Sequence, residues 1–214
     1  MTPHADPIRV VVVDDHELFR NGLTKMLSDR GIPVIGVASS GEEALETIPR
    51  LRPDVVLMDL SLPGISGVDA TRRLTAELPG TCVVALTVMT DADTLLQAIL
   101  AGACGYLLKD ASIDEIIAGV QAASRGDGVI APRLTGNLMR SIRTRYAGTA
   151  PLSRLTPRER EVLDLLVEGC DNAEIAERLY ISQFTAKNHV ASILDKLGVH
   201  NRLQAAVLAV RGWI

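Results

Sequence analysis

Aromatic side chains are nearly missing from this chain, with one Trp, three Tyr and two Phe among 214 residues. A core built without them must be filled by Leu, Val and Ala, which suits a compact α/β or helical protein. Cysteine is also scarce. Cys82, Cys104 and Cys170 are odd in number and lack metal-ligand spacing, so they read as reduced, mostly buried thiols of a cytoplasmic protein. No apolar run approaches the roughly 20 residues that span a bilayer, so no membrane partner is expected. Met1–Pro7 lacks the basic-then-apolar order of a signal peptide.

What is present divides the chain in two. Residues 1–125 hold 10 Lys/Arg against 17 Asp/Glu, while residues 126–214 hold 12 against 9. An acidic front and a basic rear suit different partners, a cation in front and nucleic acid behind.

The front alternates short apolar, mostly β-branched runs with amphipathic segments five times. The runs are Ile8–Val13, Val34–Ala38, Val55–Met58, Cys82–Leu86 and Gly105–Leu108. The amphipathic segments lie near Glu17–Ser28, Gly41–Arg50, Gly67–Glu77, Thr94–Ala101 and Ile113–Arg125, with turn residues such as Leu62-Pro63-Gly64 between units. Five such units imply a five-stranded, doubly wound parallel sheet, flavodoxin-like with strand order 2-1-3-4-5. This front domain is expected over residues 8–125. Residues 126–154 read as a linker in which Asn137–Tyr146 has the composition of a basic helix. Residues 155–214 read as a small all-α domain. Thr156-Pro157-Arg158-Glu159 and Asp171-Asn172-Ala173-Glu174 each carry a helix cap with Glu three residues on. Ser182 is placed to cap a third helix that ends at Gly198, and a fourth is expected over about Asn201–Arg211.

Four strand ends carry chemistry. Asp14 and Asp15 follow the first run, Asp59 the third, Thr87 the fourth and Lys109 the fifth. Ligands of open α/β sheets bind outside the carboxyl ends of the strands, so these groups are expected in one crevice. Three carboxylates repel one another unless a divalent cation neutralises them, and a few oxygens plus water suit Mg2+. Asp59 would accept a phosphoryl group there, with Mg2+ and Lys109 stabilising the charge.

The motifs Val12-Val13-Asp14-Asp15-His16, Leu57-Met58-Asp59 through Gly67, Ala85-Leu86-Thr87 and Gly105-Tyr106-Leu107-Leu108-Lys109-Asp110 resemble those of two-component receiver domains. The resemblance implies that Asp59 is the phosphoacceptor for a sensor histidine kinase. It further implies Mg2+ on Asp14, Asp15, Asp59 and the Ser61 backbone carbonyl, Thr87 and Lys109 on the phosphoryl group, and Tyr106 as a rotating aromatic. Val88 follows Thr87 where many receivers carry Ala.

In the rear, Ala186, Val190, Ile193 and Leu197 keep the spacing of a buried helical stripe. The opposite side carries Gln183, Lys187, Asn188, Ala191 and Ser192. Lys can reach a guanine edge or a phosphate, Asn can pair with adenine, and Ala can touch a thymine methyl. Leu155–Leu163, Asn172–Ala176 and Ile181–Val199 resemble the LuxR-type helix-turn-helix, and the whole chain resembles a NarL/FixJ-type response regulator. The resemblance makes Thr185, Lys187, Asn188 and Ala191 candidate contacts to double-stranded DNA and the fourth helix part of a homodimer. Phe184 and Ala186 depart from the family pattern; Phe184 could meet a base or pack on its own scaffold.

The reading is a phosphorylation-gated transcription regulator rather than an enzyme, its receiver catalysing only its own phosphorylation and dephosphorylation. One alternative is a regulator controlled by partner or ligand binding without phosphorylation. A phosphatase is a further reading, but Ser61 would be a poor general acid for it. With opposite net charges on a short linker, the unphosphorylated receiver is expected to lie against the DNA-reading helix.

Overall fold

In the computed structural model, residues 7–88, 91–130 and 155–212 are described; the segment Asn137–Tyr146 lies outside them. The element order is β1 (Val10–Val13), α1 (Glu17–Asp29), β2 (Val34–Ala38), α2 (Gly41–Leu51), β3 (Val55–Met58), α3 (Gly67–Glu77), β4 (Cys82–Thr87), α4 (Ala92–Leu100), β5 (Gly105–Leu108), α5 (Ile113–Ser124) and β6 (Val129–Ile130). The helical rear follows as α6 (Pro157–Val167), α7 (Asn172–Leu179), α8 (Gln183–Leu197) and α9 (Arg202–Gly212).

The strands pair in parallel in the order β2-β1-β3-β4-β5-β6. β1 (four valines) and β3 are buried at every position, as strands covered on both faces must be. One face packs on α1 and α5 through Val12, Leu27, Leu57, Val84 and Val120. The other packs on α2 and α3 through Val13, Ile48, Met58 and Leu74.

The expected five strands are all present, and β6 adds a sixth beyond the boundary expected at residue 125. It pairs Val129 with Gly105 and Ile130 with Tyr106. Two residues are too short to carry a hydrophobic period, so this edge strand was not legible.

Local chemistry starts most helices where expected, and α4 begins at Ala92, two residues before the expected Thr94. Ser40, Ser66, Asp91 and Ser112 cap α2, α3, α4 and α5. Thr156, Asp171 and Ser182 cap α6, α7 and α8. Gly198 ends α8 in the left-handed region, at φ 66°, a conformation glycine adopts without steric cost. The rear domain has its own core, in which Val162, Leu163, Ile175, Ala186, Ile193, Ala205 and Ala209 are buried.

Candidate functional site

The end of β1 lies beside the end of β3, Val13 opposite Met58, so Asp14 and Asp59 leave the sheet as neighbours. Both are buried. Lys109, leaving β5, spans them: its Nζ is 2.6 Å from Asp14 Oδ2 and 2.8 Å from Asp59 Oδ2. The Phe19 ring centroid lies 5.0 Å from the same ammonium, within cation–π range. Burial alone would lower the Lys109 pKa, but hydrogen bonds to Asp14 and Asp59 outweigh it and hold the group above its usual value.

The remaining carboxylate oxygens are also engaged. The Ser61 amide donates to Asp59 Oδ1 at 3.1 Å, and the His16 amide to Asp14 Oδ1 at 2.9 Å. His16 Nδ1 lies 2.8 Å from Asp15 Oδ1, so this residue orients the more exposed acid. Sequence reasoning gave His16 no role; its only signal was its position after the acidic pair. Gly67 opens α3 directly against the Asp59 carbonyl, where an added Cβ would lie only 1.9 Å from that oxygen. No other residue fits there without moving the candidate phosphoacceptor.

Thr87 ends β4 fully buried, and its carbonyl accepts from the Lys109 amide at 2.9 Å. Tyr106 is also fully buried, packed with Leu95, Leu96, Ile99 and Leu108. Its burial, with the charges of Asp91 and Asp59, pushes the phenol above its usual range. Val88 is 72% exposed, so its extra bulk faces solvent and leaves the ring's inward position open.

Ligand oxygens or nitrogens of Asp14, Asp15, His16 and Asp59 all lie within 4.8 Å of one another. Three carboxylates against one ammonium leave a double negative charge, a donor set that fits a hard divalent cation.

The second site is the outer face of α8. Ala186, Val190, Ile193 and Leu197 are buried as the spacing predicts, while Lys187, Asn188 and Ala191 are exposed. Thr185 is half-buried, and its hydroxyl lies 2.8 Å from the capping Ser182 Oγ. Phe184 is 74% exposed, which favours an external partner over its own scaffold. Ser192 departs from the expected DNA face. Its hydroxyl instead donates to Glu159 Oε1 at 2.7 Å, alongside Lys196 Nζ at 2.6 Å.

Glu159 thus closes the α6 cap and clamps α8. Burial alone would raise its carboxyl, but the Lys196, Thr156 and Ser192 hydrogen bonds pull it down to about 2. A depressed carboxyl stabilises the fold above its unfolded value, near 4.3, and that stabilisation drains as pH falls toward 2. Thermal unfolding of the rear domain should therefore lose stability between about pH 4.5 and pH 2. Glu159→Gln should flatten this dependence while lowering stability at neutral pH, as circular dichroism melts would record.

Among the described residues the receiver docks on α9 rather than α8, correcting the expected arrangement. Val207 joins the Tyr106 cluster, with Leu203 and Val210 packed against it. Asn201 Nδ2 donates to the Gly102 carbonyl at 2.8 Å, and Gln204 Nε2 to that of Leu100 at 3.3 Å. Arg202 Nη1 meets Asp127 Oδ1 at 2.7 Å. The fit is incomplete: a cavity of about 330 Å³ lies between Asp127, Leu166, Cys170 and Leu203. Among the described residues the buried Arg202 Nε has no hydrogen-bond partner.

Residues 10–121 match the response regulator receiver domain, and residues 153–209 match the luxR family of bacterial regulatory proteins. The chain is 41% identical over 205 residues to the transcriptional regulatory protein LiaR of Bacillus subtilis, covering 95% of this chain and 97% of that one. It is 37% identical over 224 residues to the transcriptional regulatory protein DegU of Brevibacillus brevis, covering 97% and 95%. Among solved structures, the response regulator ChrA of a heme-sensing two-component system is similar at 36% identity and a TM-score of 0.53, covering 96% of this chain and 97% of that one. Among the described residues no helix is long and apolar enough to cross a membrane.

Proposed function

The chain belongs to the bacterial response regulators, as a receiver joined to a LuxR-type DNA-binding domain, and from that premise we propose that phosphorylation of Asp59 by a sensor histidine kinase gates its regulation of transcription. The carrying observation is the Lys109 ammonium held between Asp14 and Asp59. It offsets one of the pair's two negative charges at rest and is in place to follow a phosphoryl group on Asp59.

Asp14, Asp15, Asp59 and the Ser61 carbonyl would hold Mg2+, which supplies charge stabilisation on the phosphoryl oxygens. The chain's own part is nucleophile and positioning. An Asp59 oxygen forms a bond to phosphorus while the donor's bond to phosphorus breaks. The acyl phosphate carries roughly −1.5 to −2 charge in place of the −1 of the carboxylate, and places it on oxygens farther out from β3. Lys109 would turn from Asp14 toward that charge, and the Thr87 hydroxyl would follow, shifting β4, β5 and the Tyr106 cluster. Val207 belongs to that cluster, so α9 would loosen and become available to a second copy of the chain, as the family resemblance implies.

The DNA-reading half of the proposal rests on Lys187 and Asn188. Loss of one bidentate base contact costs about 1–3 kcal/mol and relaxes preference at one base pair. Loss of a phosphate contact weakens all sequences and reduces the salt slope by about one unit. Asn188→Ala should behave in the first way. Lys187→Ala should follow one pattern or the other, in titrations of phosphorylated protein against fragments selected from genomic DNA. Changes below twofold for both variants would refute the reading face.

A further inference from the structure

Cys82 opens β4, and Cys104 stands immediately before the neighbouring β5, its amide donating to the Val83 carbonyl at 2.8 Å. Both side chains enter the core layer beneath α1 and α5, where the two thiols come within reach of each other. Cys104 stands level with Val83, one residue along from Cys82; a spacing of about 4.8 Å between strands and about 3.3 Å along one puts the diagonal pair's Cα atoms roughly 6 Å apart, inside the range of about 4.4–6.8 Å that a disulfide bridges. Cys82 is partly buried, Cys104 is buried, and Cys170 lies apart in the core of the rear domain.

We propose that Cys82 and Cys104 are a peroxide-reactive thiol pair that closes to a disulfide and loosens the DNA-binding domain from the receiver. The accessible Cys82 reacts first. Its sulfur attacks a hydroperoxide oxygen, the S–O bond forms and the O–O bond breaks, and the alcohol (water, for hydrogen peroxide) leaves with the thiol proton. The Cys104 sulfur then attacks the Cys82 sulfenic acid. The S–S bond forms, the S–O bond breaks, and water leaves with the second proton. Two electrons pass from the thiols to the peroxide. The hydrogen bond from Cys104 holds the Cys82 thiol below the usual thiol range, which favours the order given.

The consequence follows from what lies beside the pair. Residues between the two cysteines include α4 and the Leu100, Gly102 and Ala103 carbonyls that accept from Gln204 and Asn201. A disulfide sets its sulfurs about 2.05 Å apart, closer than any hydrogen-bonded pair. To close the bridge the Cys104 side chain turns out of its present packing toward Cys82, and the Gly102–Ala103 backbone before it takes up that change, weakening the grip on α9. Asn201 keeps its separate cap on Gln204 N, so the helix itself survives.

The test treats the full-length reduced protein with hydrogen peroxide, alkylates it and maps peptides without reduction. A Cys82–Cys104 crosslink reversed by dithiothreitol is expected, with Cys170 still alkylated. In Cys82→Ala the peroxide should consume no Cys104 thiol in the folded protein. Intact thiols throughout, linkage between two chains, or equal oxidation of Cys104 in that variant would overturn the site. Hydrogen exchange of the α9 amides should be about two- to tenfold faster in oxidised protein, the range expected for one lost hydrogen bond. Unchanged exchange despite a complete crosslink would overturn the coupling, without bearing on Asp59 as phosphoacceptor.

Discussion

Asp59→Asn should reduce labelling by acetyl phosphate in magnesium to background. The amide keeps nearly the same shape but is a poor nucleophile and a weaker ligand for a divalent cation. Lys109 would keep Asp14 at 2.6 Å, so the ammonium is not left buried and unpaired. The fold should therefore persist, which a circular dichroism melt of the same sample checks. Label retained by the variant, with the acid and base lability of an acyl phosphate, would move the phosphoacceptor elsewhere.

Asp127→Ala should release the docked DNA-binding domain without any phosphodonor. Asp127 and Arg202 face each other across the two domains, with side chains 15% and 8% exposed. Removing one partner of a buried ion pair costs about 3–5 kcal/mol, because the other charge stays desolvated. Undocking offers Arg202 water while it keeps its own-domain bond to Asn172, 3.0 Å from Nη2. The docked-to-free equilibrium should thus move by about a hundredfold or more. DNA titration should find the unphosphorylated variant binding like the phosphorylated parent, with no further gain from phosphorylation. An affinity equal to that of the unphosphorylated parent would show that this contact does not restrain the domain.

The site was legible wherever it is local to a strand end. Asp14, Asp59, Thr87 and Lys109 each follow a buried apolar run, and the parallel order then brings them together. The rear helix starts were legible for the same reason, since Thr156 with Glu159 or Asp171 with Glu174 forms a cap within four residues. What escaped depends on contacts far along the chain. Ser192 sits at a spacing that suits the outer face of α8, yet Glu159, 33 residues earlier, draws its hydroxyl inward. The docking of the receiver on α9 did leave a trace. Leu203–Val210 is apolar at every position except Gln204, and a helix apolar on all sides is buried on all sides. Ala205 and Ala209 serve the rear domain's own core, while Leu203 and Val207 serve the receiver. Net charge pointed toward α8 instead because it carries no geometry.

Gating of DNA binding by Asp59 through α9 is tested most directly by titrating one operator, at fixed salt, with three species. These are the intact unphosphorylated chain, the phosphorylated chain and a fragment covering residues 150–214, which contains the self-contained rear core. The phosphorylated chain and the fragment should both bind more tightly than the unphosphorylated chain. Equal affinities for all three would contradict the account.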